Sequence, residues 1–378
     1  MKSFFRSLSN LIKFYKIKPQ NRKIVFYSEN ENFYQFFEGL INELINNHNY
    51  KIYYVTSSST DPILNKKNPK IESFYVGNES IKTIFFRIFN SPLMILTMPD
   101  LNSFHIKRSP HNVNYIFVPH NVLSLHMVFR KKAFNNYNTF FCSGPHHNKE
   151  IEETEKIYNL KKIKTFNFGY YKIDKLLSNK QNKINETLKT IIIAPSWGES
   201  CIIEKIGDEL LSLFKDKDWK IIIRPHPDTL RLFKNKYISL KKKFDNYKKF
   251  KFEENVSNML SFHEADLMIS DWSGAAFEFA LGLEKPVIFI DLPKKINNSD
   301  FKLYKNIPIE VSAREKIGEI VDPDNLRTLI ERIETTLTNK ESYKIKISQE
   351  REKLIYNVKN SSANGAKYIQ RLLEDLSY

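Results

Sequence analysis

Glycine is scarce in this chain. There are ten in 378 residues, and no G-x-G-x-x-G or G-x-x-x-x-G-K-[ST] run occurs. That excludes the common glycine-rich phosphate loops and leaves other phosphate sites open. Cysteine is scarcer still. Cys142 and Cys201 are the whole complement, too few for a disulfide scaffold or a Cys-rich zinc site. A reduced cytosolic setting fits that count. No stretch reaches the roughly 18 apolar residues that a spanning helix needs. Acidic residues also run short: 43 Asp and Glu stand against 59 Lys and Arg, a formal charge of +16.

What is present is apolar mass. The hydrophobic fraction is 41% and the aromatic fraction 13%, enough for sizeable cores and against global disorder. At roughly 150 residues per domain, the length suggests two domains. The charge points to an anionic partner: nucleic acid, a membrane surface or a phosphate-rich substrate. The chain is also crowded with Lys, Asn and Ile, so part of that charge is surface solvation.

Two segments concentrate the charge. Residues 1–18 place Phe4, Phe5, Leu8, Leu11, Ile12 and Tyr15 on one helical stripe. Lys2, Arg6, Lys13, Lys16 and Lys18 add charge, and no acidic residue offsets them. Such a helix either lies on an anionic membrane surface or packs on its own protein. Its broken apolar run does not read as a signal peptide. Residues 234–251 read as a helix with a basic, solvated face.

Short apolar runs recur at residues 23–27, 51–55, 94–98, 115–118 and 139–142, with helical stretches at 33–47 and 146–159 between some of them. The pattern restarts at 190–193, 220–223, 250–252, 267–269 and 287–290. Helices are expected there at 205–214, 229–247, 256–263 and 274–281. This alternation predicts parallel sheets covered by helices. The expected division is a basic amphipathic helix over 1–20, a Rossmann-like unit over 21–175, a second over 188–340 and C-terminal helices over 341–378. The polar stretch near 175–189 reads as the linker. Two doubly wound units create a cleft at the carboxyl ends of their strands, where ligands bind.

Three strand ends in the second unit carry chemistry. Ala194-Pro195-Ser196-Trp197-Gly198 follows one strand; Ser196 faces the cleft or makes an ordinary turn. Ile223-Arg224-Pro225-His226-Pro227 ends another. Arg224 supplies a planar cationic fork for phosphate oxygens, and His226 a donor or an acid–base group, between prolines that fix the backbone. Ser270-Asp271-Trp272-Ser273-Gly274 joins a strand to a helix. Free N–H groups at that helix start bind phosphate without a glycine-rich loop, and Ser273 can cap the helix or donate to an oxyanion. Glu278, a turn further on, is either a ribose acceptor or a structural carboxylate. Asp271 contacts the ligand or orients the turn. A serine-hydrolase elbow is excluded, because Asp271 and Ala275 occupy the places where it needs glycine. In the first unit, Pro119-His120-Asn121 sets a histidine at a strand end, where a general base would stand. His126 is a weaker candidate. His146 and His147 read as caps or surface residues. No metal-binding spacing is present.

The motifs Ala194-Pro195-Ser196-Trp197, Arg224-Pro225-His226-Pro227, Ser270-Asp271-Trp272-Ser273 and Glu278-Phe279-Ala280, with Lys285-Pro286-Val287-Ile288-Phe289, resemble those of the CDP-glycerol glycerophosphotransferases of teichoic acid and capsule synthesis. The resemblance covers roughly residues 110–300. It implies a GT-B fold and metal-independent transfer of a phosphopolyol from a CDP-linked donor to a hydroxyl of a cell-surface polymer, with release of CMP. It implies no cofactor, the CDP-linked donor being a substrate. His120 would be the base. His226 would be catalytic and donor-binding, beside Ser196, Trp197, Arg224, Ser270, Asp271, Ser273, Gly274 and Glu278. The family's Trp-His-Gly reads Pro119-His120-Asn121 here, and its second serine reads Gly274. Ser-Gly followed by Glu also resembles UDP-sugar epimerases and GT-B glycosyltransferases, so a nucleotide-sugar transferase remains the alternative. A noncatalytic basic surface-binding protein is the alternative of another class. The expected place is cytoplasmic, at the inner face of the membrane, with a polymeric glycan acceptor and no specific nucleic acid as partner.

Overall fold

A computed structural model describes residues 2–376, apart from 78–79, 104–105, 180–187 and 256–258. The apolar runs become strands of two sheets in which every pairing is parallel. The first holds β1 (Ile24–Ser28), β2 (Ile52–Thr56), β3 (Ile71–Tyr75), β4 (Leu93–Leu96), β5 (Asn114–Phe117), β6 (Thr139–Cys142) and β7 (Lys164–Asn167), in the order β3-β2-β1-β4-β5-β6-β7. The second holds β8 (Thr190–Ile193), β9 (Lys220–Ile223), β10 (Phe250–Phe252), β11 (Leu267–Ser270), β12 (Val287–Ile290) and β13 (Gly318–Val321), in the order β10-β9-β8-β11-β12-β13. Helices cover both faces, so central strands such as β1, β8 and β12 are buried throughout and apolar except for Ser28 and Thr190 at strand ends. Strand order reverses between β1 and β4 and between β8 and β11. Crevices at such switch points are where doubly wound sheets bind ligands.

Three strands escape the periodicity reading: β3, β7 and β13. Each lies at a sheet edge. An edge strand has less surface to bury, and β7 is largely exposed, so its residues carry no apolar signal.

The linker expectation needs a correction at its start. Residues Tyr171–Ser178 form a helix with Ile173, Leu176 and Leu177 buried. This helix packs against the Gly274–Leu283 helix of the second unit, and any Cβ at Gly282 would meet Leu176 Cδ1 at 2.6 Å. Glycine is what permits that close approach. The Leu-Leu pair was spent on the interface between the units, within a stretch whose overall polarity suggested a loop. Residues 180–187 of the expected linker, and 256–258 of the expected 256–263 helix, lie outside the described residues. The 229–247 helix is two helices, Pro227–Leu232 and Lys234–Phe244.

The C-terminal helices do not form a separate layer. The Ser361–Asp375 helix returns to the first unit, where Ala366, Ile369, Leu372 and Leu373 join Ile24, Phe37, Leu40 and Phe168 in one core. Asp174 fastens the start of that helix by accepting from the Ser361 and Lys359 backbone N–H groups at 3.1 and 2.7 Å.

The basic stretch 234–251 is largely paired. Lys236 and Lys243 bridge to Asp208, Lys241 to Glu254 and Lys249 to Asp218. These are exposed pairs, worth little each, but they remove much of the local surplus charge.

Candidate functional site

A cavity of about 460 Å³ lies between the two units, at the strand ends near both switch points. That volume suits a nucleotide-sized ligand. His120, Asn121 and Lys172 line it from the first unit. Ser196, Trp197, Arg224, His226, Ser273, Gly274, Glu278 and Lys295 line it from the second.

His120 follows β5 and sits among the rings of Phe33, Phe36, Phe117 and Phe129, with centroids 5.5–6.4 Å away. Burial among them lowers its pKa to about 4, although its bond to the Thr97 backbone pulls the other way. Its Nδ1 lies 2.7 Å from the Thr97 carbonyl oxygen. A carbonyl only accepts, so Nδ1 carries the proton. Nε2 of the neutral ring is then the acceptor left for a ligand.

His226 is fixed the other way. It caps the Pro227–Leu232 helix, its Nδ1 accepting from the Asp228 N–H at 3.1 Å. Its proton therefore sits on Nε2, which becomes a donor. Burial in the cleft lowers its pKa to about 4, with Lys295 and His120 acting in the same direction and Asp228 opposing.

Arg224 stands at the end of β9 as the sequence suggests, but it is strongly held. Its Nη1 donates to Glu253 at 3.0 Å and to Ser261 Oγ at 2.9 Å, and its guanidinium lies 4.8 Å from the Phe262 ring centroid. A planar fork fixed this way presents its charge in one orientation. Ser273 caps the Gly274–Leu283 helix by accepting from the Ala275 N–H. Ala276 N–H bonds the Ser273 carbonyl as well, so what the helix start brings to the cavity, which Ser273, Gly274 and Ala275 line, is chiefly the positive end of its dipole.

Ser270 and Asp271 do not line the cavity. Ser270 donates to the Ala194 carbonyl at 2.7 Å. Asp271 accepts from the Ser196 and Ile202 N–H groups at 2.6 and 3.0 Å. Both stand behind the wall and hold the loop that presents Ser196 and Trp197. The expected donor contacts from these two residues are thus replaced by a supporting role.

Glu278 is reached from the first unit. Lys172 Nζ lies 2.6 Å from its Oε2, and the Tyr170 hydroxyl lies 2.7 Å from its Oε1. The same hydroxyl is 3.0 Å from the His120 carbonyl oxygen. A carboxylate on the donor side thereby touches the group that supports His120. Tyr170 is positioned by the turn before it, where Gly169 adopts φ +101° and a Cβ would meet the Tyr356 carbonyl oxygen at 2.3 Å.

Lys295 was not singled out in the sequence. Its ammonium lies 3.1 Å from the Trp197 ring centroid and donates to the Trp197 carbonyl at 2.8 Å. Burial brings its pKa down to about 8, against the pull of Asp228 and Asp271. The loop that carries it crosses to the first unit, where Asn297 bonds the Met127 and Val128 carbonyls at 2.9 and 2.7 Å. In a Lys-rich chain no local signal marks one lysine; its place depends on that loop crossing.

His126, His146 and His147 are structural. His146 and His147, expected as caps or surface residues, are turned inward. Their Nε2 atoms bond the Val122 and Leu123 carbonyls at 2.9 Å each. His126 is buried between the Phe301 and Tyr304 rings, beside Glu150. Together with Ser124, which donates to Glu310 at 2.6 Å, they fix the segment that follows His120. Among the described residues, no group of three or more His, Cys, Asp or Glu could hold a metal ion, and no helix is long and apolar enough to cross a membrane.

Residues 10–371 match the family described as CDP-Glycerol:Poly(glycerophosphate) glycerophosphotransferase. The minor teichoic acid biosynthesis protein GgaB of Bacillus subtilis (strain 168) is 25% identical over 226 residues, 52% of this chain. The match spans only 23% of that relative's length. Among solved structures, the wall teichoic acid polymerase TagF aligns over 100% of this chain and 98% of its own at 14% identity, with a TM-score of 0.59; one such structure followed a soak with CDPG. The UDP-GlcNAc 2-epimerase of Neisseria meningitidis, bound to UDP-GlcNAc, aligns over 93% of this chain and 99% of its own at 15% identity, with a TM-score of 0.59. At these identities the structures speak for the fold, two doubly wound domains of GT-B type around a central cleft.

Proposed function

The chain belongs to the CDP-glycerol:poly(glycerophosphate) glycerophosphotransferase family, and from that premise we propose that it moves a phosphopolyol from a CDP-linked donor to a hydroxyl of a cell-envelope polymer. One observation carries the reading. A neutral histidine with a free acceptor nitrogen faces, across one cavity, a wall built from His226, the buried Arg224 and a capped helix start.

The acceptor hydroxyl gives its proton to His120 Nε2 as its oxygen attacks the β-phosphorus. The bond from that phosphorus to the α–β bridging oxygen breaks, and CMP leaves with the electron pair. A phosphodiester forms between acceptor and polyol. His226 Nε2–H, Arg224 and the positive end of the helix beyond Ser273 stabilise charge on the diphosphate oxygens, in a site they already occupy before the reaction. Lys295 adds a cation on the same wall. The acceptor is membrane-linked, and the enzyme works at the cytoplasmic face of the membrane.

The test is CMP release from CDP-glycerol or CDP-ribitol with a polyol-phosphate primer. Release that depends on His120 supports the reading, and no release with either donor sinks it. A thermal-shift series with CDP, UDP and GDP distinguishes the donor class. Stabilisation by UDP or GDP alone would favour a nucleotide-sugar transferase.

A further inference from the structure

The cavity has two walls of different character. The wall from the second unit carries Arg224, His226 and Lys295. The wall from the first unit is built by residues 30–36, which lead from β1 into the Tyr34–Asn46 helix. Asn30, Asn32 and Gln35 line the cavity there, with the half-buried rings of Phe33 and Phe36. Those two rings stand 5.7 and 6.0 Å from the His120 ring, so this segment and the base border the same space.

Hydrogen-bonding capacity is left open on this wall. Asn30 Oδ1 accepts from the Asn32 N–H at 2.9 Å, and Gln35 Nε2 donates to the Asn32 carbonyl at 2.8 Å. Asn30 Nδ2, Gln35 Oε1 and the whole Asn32 carboxamide bond no other described residue. Positive charge is missing. Among the described residues that line the cavity from the first unit, Lys172 is the only permanent cation, and Glu278 Oε2 holds its Nζ at 2.6 Å. Glu31, between the two asparagines, is an exposed carboxylate that accepts from the Ser58 hydroxyl at 2.6 Å. A phosphate seated beside it would meet repulsion and no counterion.

We propose that this wall seats the acceptor as an uncharged sugar ring, with Asn32 and Gln35 selecting its hydroxyls, and not as a polyol phosphate. A pyranose has a flat C–H face and a rim of hydroxyls that both donate and accept. Aromatic rings meet the first with their electron-rich faces, and carboxamides meet the second. A chain end of polyol phosphate carries an anion only a few carbons from its free hydroxyl and calls for a cation there. The inference rests on the transfer reaction proposed above and names the acceptor class for it. One ring hydroxyl gives its proton to His120 Nε2 while its oxygen bonds the β-phosphorus, and CMP leaves as before.

The test uses the full chain. Saturation-transfer NMR on the CDP-loaded protein reads acceptor binding without turnover. The probes are octyl glycosides of glucose, galactose and their N-acetylamino forms, and a glycerophosphate oligomer. At least one glycoside is expected to receive saturation on its ring protons. CMP release from CDP-glycerol then gives acceptor KM values. The oligomer is expected to work, with a KM about tenfold above that of the bound glycoside, the value of one or two hydrogen bonds. N32A/Q35A should raise the glycoside KM by about tenfold with little change in donor KM. N32K/Q35K should move the preference toward the oligomer. Far-UV circular dichroism checks the fold of both variants. Preference of the unmodified chain for the oligomer, binding of no glycoside, or glycoside binding that both variants leave as it was overturns the inference. Glycoside binding without CMP release from any donor would leave the sugar seat standing and overturn the transfer reading.

Discussion

His120 and His226 face one cleft from opposite domains with the same nitrogen, Nδ1, committed in opposite roles. His120 spends its Nδ1 proton on the Thr97 carbonyl, and His226 spends its Nδ1 lone pair on the Asp228 N–H. One ring therefore offers an acceptor and the other a donor, as a proton-removing group and a charge-stabilising group require. H120A should lower kcat by about 10²–10⁴-fold with little change in donor affinity. H226A should lower kcat by about 10²–10³-fold and also weaken donor binding. Steady-state kinetics paired with donor titration would separate the two roles. Equal effects of both variants on both parameters would contradict the division.

The same burial sets the pH range. His120 is held near 4, below its ordinary value, so the free base persists down to that pH and activity falls only as pH drops through about 4. A log kcat/KM profile with an acidic limb near 6.5 would remove His120 as the base. On the other side, Lys295 near 8 loses its charge as pH rises through that value, so donor KM should climb there.

Lys295 can be tested directly. K295M should raise donor KM by about tenfold, the value of one charge-assisted hydrogen bond to phosphate, and abolish the alkaline rise in KM. K295R should restore binding at high pH, because a guanidinium stays charged. A K295M enzyme with an unaltered KM–pH profile would assign the alkaline limb elsewhere.

Tyr170 links Glu278 to the backbone of His120. Y170F removes the hydroxyl and leaves Glu278 with Lys172. A loss of about 1–2 kcal/mol in urea unfolding is expected, with kcat reduced more than donor KM. A change in donor KM alone would place Tyr170 with the donor instead.

Asp271 holds two backbone N–H groups of the loop that carries Ser196 and Trp197. D271A should cost about 1–3 kcal/mol and weaken donor binding through that loop, whereas S270A should affect neither by much more than about 1 kcal/mol. Calorimetric unfolding and donor titration read both. Normal stability in D271A with lost donor binding would return Asp271 to a direct ligand contact.

The alternation of apolar runs was enough to read two parallel α/β units, because strands buried on both faces are apolar throughout. Residues 220–227 show why much of the site was legible too: a strand, an arginine and a histidine between prolines put the chemistry where the strand must end. Asp271 and Lys295 show where local reading stops. Asp271 has the residue type of a ligand contact, but its carboxylate turns toward a loop 69 to 75 positions earlier. Lys295 reaches the cleft on a loop fixed by contacts to Met127 and Val128. Leu176 and Leu177 sat in a polar stretch, and nothing local shows that a helix of the second unit would cover them. Each of these depends on pairing between distant segments, which periodicity does not encode.

The return of the Ser361–Asp375 helix to the first domain sets an order of assembly. That domain contributes the earlier strands, yet Ile24, Phe37, Leu40 and Phe168 share a core with Ala366, Ile369, Leu372 and Leu373. On the ribosome, the second sheet has all six of its strands well before that helix is made. The face of the first domain that this helix covers is therefore closed last, whereas the buried residues of its other face all lie between Leu11 and Ile163 and are made early.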